Sequence, residues 1–136
     1  MRRAVLLGAA ALLTAGLAVA PAQAGKKTKV SSQVTIAGFT YNGPTDTVTF
    51  RGAVGSNAKC RKGRKVVLRQ LEVPVVAGIT RSKKSGKWKV RFTGDDVPPG
   101  NFRAIVTKKV IVKRRGGEVV KKTICKRDAS PVFDAD

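Results

Sequence analysis

From Thr28 onward, apolar and polar side chains alternate along much of the chain with a period of two, the spacing of a half-buried strand and not of a helix. The clearest stretch is Lys87-Trp88-Lys89-Val90-Arg91-Phe92. In extended backbone, Trp88, Val90 and Phe92 face one way and the three cations face the other, whereas a helix would scatter the cations around its circumference. Thr28–Ile36 reads as a first strand, and Thr47–Val54 follows a turn at Asn42-Gly43-Pro44. Arg64–Gln70 points Val66 and Leu68 inward, between Arg64, Lys65 and Arg69. Val73–Ile79 is less regular, with Pro74 demoting its start to an edge or a loop. Asn101–Thr107, a continuation or restart over Val110–Lys113, and Glu118–Cys125 complete the set. Turn residues separate these runs: Gly86 in the Ser82–Gly86 loop, Pro98-Pro99-Gly100-Asn101 as a type II turn, and Gly116-Gly117 as a tight reversal. No stretch after residue 24 carries a helical apolar stripe. About seven short strands at regular spacing predict an all-β antiparallel sandwich, with a small closed barrel as the alternative.

The first 24 residues read as a secretory signal peptide. Arg2 and Arg3 supply the positive start, Ala4–Ala20 the apolar run, and Ala22-Gln23-Ala24 the small residues before a cut at Gly25. An uncleaved anchor is the alternative, because the apolar run is long for a signal. Cleavage leaves 112 of the 136 residues, a length for one domain. The expected divisions are a signal peptide at 1–24, a basic flexible N-terminus at 25–29, the sandwich domain at 30–127 and an extended tail at 128–136. The expected destination is extracytoplasmic, secreted or held at the cell surface.

A domain this small buries a limited fraction of its surface and gains from a covalent staple. With one pair of cysteines and an oxidising destination, Cys60 and Cys125 are expected to form a disulfide. Two buried free thiols are the alternative.

One ordered set of motifs carries a resemblance. Phe50-Arg51-Gly52-Ala53-Val54-Gly55-Ser56, then Arg64–Leu68, then Ser85-Gly86-Lys87-Trp88, then Pro99-Gly100-Asn101-Phe102 succeed one another. The run, roughly residues 47–107, resembles transthyretin-like and carboxypeptidase regulatory-like domains, and small secreted bacterial domains of the same layout with two cysteines. The resemblance implies a seven-stranded immunoglobulin-like or transthyretin-like sandwich with an accessory or binding role and no catalytic residue. A loop cysteine paired with one in the C-terminal strand departs from the antibody arrangement.

The chain contains no histidine, which removes the Ser–His and Cys–His nucleophile systems. Two cysteines without histidine cannot supply the four ligands of a structural zinc site. Asp95 and Asp96 are neighbours in a turn, not carboxylates facing each other across a cleft. Gly86-Lys87 is no phosphate loop, since Arg81 stands at the upstream glycine position and Trp88 at the hydroxyl position. Trp88 shares a face with Val90 and Phe92, which makes it core before it is a stacking platform. Neither an enzyme nor a bound cofactor or metal is expected.

Charge is what remains. Lys and Arg number 28 against 8 Asp and Glu, a formal net charge of +20, and such a field attracts polyanions at long range. The candidate contacts are Arg61, Lys62, Arg64, Lys83, Lys84, Lys108, Lys109, Lys113, Arg114, Arg115, Lys121 and Lys122, with a hairpin bringing the Lys108–Arg115 group beside Lys121 and Lys122. The expected partners are anionic polymers of the cell envelope or extracellular polyanions, with no small-molecule substrate. A secreted cationic effector, a nucleic-acid-binding protein and a merely solvated basic surface are the alternatives.

Overall fold

The computed structural model describes residues 25–136, so the signal-peptide reading of 1–24 lies outside the described residues. Eleven strands and one helical turn succeed one another: β1 (Lys26–Val30), β2 (Gln33–Asn42), β3 (Thr47–Gly55), α1 (Ala58–Arg61), β4 (Lys65–Gln70), β5 (Val75–Arg81), β6 (Lys87–Thr93), β7 (Asn101–Val106), β8 (Lys109–Arg115), β9 (Glu118–Cys125), β10 (Asp128–Ala129) and β11 (Phe133–Asp134). Apart from that helical turn the described residues are all-β, as the alternation predicts. The strand count exceeds seven because the first expected strand is broken at Ser31-Ser32, and because the ends of the chain also pair.

Two antiparallel sheets face each other. One is ordered β2-β3-β6, and the other β5-β4-β7, with β10 and β11 both adding to the free edge of β7. Their inner faces supply one apolar cluster, built from Val34, Phe50, Val54, Val66, Leu68, Trp88, Val90, Phe92, Phe102, Ala104 and Val106. Strict alternation in β6 buries Trp88, Val90 and Phe92 and exposes Lys87, Lys89 and Arg91. The Trp88 ring lies over Gly52, where any Cβ would run into the indole and the Thr35 carbonyl. Gly86 takes φ 90° and brings its carbonyl to the Val54 N–H at 2.8 Å.

The expected extended tail at 128–136 docks on the sandwich, its two short strands β10 and β11 pairing with β7. Ser130 accepts from the Ala104 N–H through Oγ at 2.9 Å, while its own N–H donates to the Ala104 carbonyl at 2.8 Å. Asp128 ties the tail to the facing sheet, its Oδ2 accepting from the Val34 N–H at 2.9 Å. These bonds satisfy backbone groups at the sheet edge that a free tail would leave open.

The third sheet, ordered β1-β9-β8, stands apart from the sandwich core, to which none of its residues belongs. The β8–β9 hairpin reverses at Gly116-Gly117, with φ values of 59° and 82°, the left-handed pair a two-residue turn requires. β1 adds to β9 in parallel, Lys26 opposite Lys121 and Val30 opposite Cys125. The expected flexible arm at 25–29 is therefore a strand. Like charges argue for fraying there, but five residues of ladder along β9 outweigh the repulsion of exposed, solvated lysines.

Candidate polyanion-binding surface

The three-stranded ribbon gathers cations that are distant in sequence. Its strands and flanking residues, 25–30 and 107–127, hold twelve Lys and Arg against one acid, Glu118. Lys121 lies opposite Lys113 on one side and Lys26 on the other, a row of three like charges on one face. Directly opposed side chains stand roughly 5 Å apart and repel when charged alike. On the other face Lys122 is opposite Lys27 and Val112. Exposed Arg114 and Arg115 lead into the turn. The sequence reading omits Lys26, Lys27 and Lys29, yet a signal was there. Lys26-Lys27-Thr28 repeats as Lys121-Lys122-Thr123, and the two copies pair in register.

The remaining candidates surround the ribbon's base. The Asn57 side chain caps α1 by accepting from the Cys60 N–H at 2.9 Å, which fixes the turn carrying Arg61 and Lys62. Arg61 is half-buried and donates through Nε to the Lys84 carbonyl at 3.2 Å, joining α1 to the loop of exposed Lys83 and Lys84. Lys109 donates through Nζ to the Lys62 carbonyl at 2.9 Å. Lys108 is exposed beside it. Cys60 in α1 and Cys125 at the end of β9 form the disulfide, with Cα atoms 5.4 Å apart.

Arg64 corrects the expectation. It is fully buried and cannot touch a polyanion. Its Nη1 donates to Ser32 Oγ at 2.8 Å and the Cys60 carbonyl at 2.7 Å, and its Nη2 to the Thr107 and Lys126 carbonyls at 2.8 and 2.9 Å. Nε reaches the Thr107 carbonyl at 3.3 Å. Those partners flank all three ribbon strands, following β1, preceding β8 and following β9. One guanidinium thus ties the ribbon to the sandwich through neutral oxygens. Burial pushes it below its ordinary pKa, although a guanidinium stays charged throughout the range proteins meet.

Chemically, the ribbon and its base offer hydrogen-bond donors and positive charge over two faces and a turn, groups able to pair with anions. Among the described residues no group of three or more His, Cys, Asp or Glu is placed to hold a metal ion, and no helix is long and apolar enough to cross a membrane. No protein-family model matches the chain, and neither a curated protein nor a solved structure matches it.

Proposed function

We propose that this protein is an exported, non-enzymatic module that adheres electrostatically to anionic polymers of the cell envelope, with the ribbon as its contact surface. The observation that carries this reading is the cross-strand row Lys26, Lys121 and Lys113. Opposed like charges cost stability in the free protein, and an anionic chain laid across them relieves that repulsion. The likeness to transthyretin-like accessory domains supports a binding role in the same way. Retention on immobilised wall polymer or heparin is expected to be strong at low salt and to collapse near physiological ionic strength, because neutralised charges release counterions. The paired change Lys113→Glu with Lys121→Glu lowers the eluting salt concentration. Retention indifferent to salt, or to that pair, overturns the reading.

A cationic effector acting on lipid is the second reading, and one observation favours it. On the face bearing Lys27 and Lys29, Val110 and Val112 are 43% and 41% exposed, an apolar strip edged by lysines that suits an anionic lipid surface. Leakage of dye from anionic vesicles, absent with zwitterionic ones, would decide for it.

A further inference from the structure

The end of the sandwich away from the ribbon carries the opposite charge. Asp46, Glu72, Asp95, Asp96, Asp134 and Asp136, six of the eight acids, fall in its turns and in the last residues. No Lys or Arg occurs in the segments that build this end, residues 42–50, 70–76, 92–102 and 131–136. All five phenylalanines gather toward it. The Phe50 ring centroid is 5.4 Å from that of Phe39, 5.8 Å from Phe92, 4.6 Å from Phe102 and 6.0 Å from Phe133.

An open cleft of about 390 Å³ lies here, a volume in the range of small-ligand sites, walled by exposed Phe39, Tyr41 and Pro98 with the buried Phe50, Phe92 and Phe102 beneath. A bulge in β2 creates the mouth. Val34 and Ile36 face the core, and an unbroken period of two would next turn Gly38 and Thr40 inward. The register shifts between Ile36 and Gly38, so that Phe39 comes opposite Phe50 and Tyr41 opposite Val48. Bulges re-aim side chains in this way. Phe39 stacks on Phe50 and meets Phe133 of the facing sheet edge-on at 6.2 Å, yet Phe39 and Tyr41 remain 39% and 59% exposed.

Carboxylates rim the same opening. Tyr41 Oη donates to Asp46 Oδ1 at 3.0 Å, and the Asp95 N–H donates to Asp46 Oδ2 at 3.2 Å. Asp46 holds φ 48°, the one non-glycine residue with positive φ among those described. Gly94 leaves room for its carboxylate, 2.6 Å from where a Cβ would stand. The Tyr41 hydroxyl is held above its ordinary pKa, first by that hydrogen bond and then by the charge of Asp46, with burial and Asp95 adding. The phenol therefore stays a donor to Asp46.

We propose that this pocket binds a small organic cation, an amine or quaternary ammonium bearing a ring-sized apolar group. The apolar part packs against Val48, Pro98 and Pro99, over the buried phenylalanine cluster. The charge rests at the mouth against the Phe39 and Tyr41 rings and beside Asp46 and Asp95. Aromatic faces attract cations, more strongly where water is partly excluded, and the nearby carboxylates select against neutral and anionic isosteres. The ribbon does not cancel this attraction. β3, nine residues long, separates the two ends by roughly 26 Å at about 3.3 Å per residue, some three screening lengths at physiological salt.

The test uses the disulfide-bonded domain with three probes of one shape: benzyltrimethylammonium, benzyl alcohol and benzoate. By NMR titration the cation is expected to shift the amides of Phe39, Tyr41, Asp46 and Asp95 and to bind about tenfold more tightly than the alcohol, with benzoate silent. Asp95→Asn and Tyr41→Leu each weaken the cation about fivefold or more, with unchanged melting temperature and unchanged heparin retention, which separates this pocket from the ribbon. Equal binding of cation and alcohol, unaltered affinity in both variants, or no shift at millimolar cation overturns the proposal.

Discussion

Arg64 sits one residue before β4, in step with Val66 and Leu68, so the parity that turns those two inward turns Arg64 inward too. Classing it by charge instead of by position in the alternation placed it on the surface. What the sequence did not hold was the ring of acceptors, because Ser32, Cys60, Thr107 and Lys126 come together only once three distant segments meet. A lysine at this site keeps the charge but has three donors on one atom and cannot reach the same set of oxygens. Arg64→Lys is expected to lower unfolding free energy by about 3 kcal/mol, measured as a shift in urea midpoint at unchanged slope. A loss under about 1 kcal/mol, the worth of an ordinary surface contact, would show that the guanidinium is not the knot described. Gly52 was legible only as part of a motif. Its physical role, letting the Trp88 ring lie against the β3 backbone, is visible once β3 and β6 pair.

Strand β6 was readable residue by residue, because its burial follows a single period from Lys87 to Thr93. β1 was not. Its ladder depends on a parallel partner at the far end of the chain, and no local rule reports a partner that remote. The β2 bulge escaped for a related reason: one extra residue at Ala37 breaks the alternation that served as the guide, and the strand was expected to stop at Ile36 while it runs on to Asn42. The disulfide pair was legible from cysteine count and an expected oxidising destination, but its place at the root of the ribbon was not. Cys60 and Cys125 are 65 residues apart, and chain-entropy arguments give such a link about 4 kcal/mol. Reduction is expected to lower stability by roughly that amount, and hydrogen exchange should quicken in β8 and β9 before it quickens in β4 and β7. Uniform loss of protection across all strands would contradict a separately anchored ribbon.

Composition announced a cationic molecule, yet not that its charges are sorted, with twelve cations on or beside one ribbon and six acids at the opposite end. Sorting follows from topology: the connections β2–β3, β4–β5 and β6–β7 all turn at one end and hold four of the acids, and the C-terminal residues add Asp134 and Asp136. Like charges crowded at each end repel, so added salt should stabilise this fold by screening. The expected outcome is a melting temperature that rises from low salt toward physiological salt, and rises further with heparin under the proposed binding to the folded ribbon. A fall with salt would mean that attractive ion pairs dominate. The parallel union of β1 with β9 has a kinetic consequence as well. A chain emerging from a ribosome delivers β1 before its mate β9, with β2 to β8 in between. β1 must therefore wait through the birth of nearly every other strand, and the ribbon closes as a late event, after the sandwich beneath it has a surface to close upon.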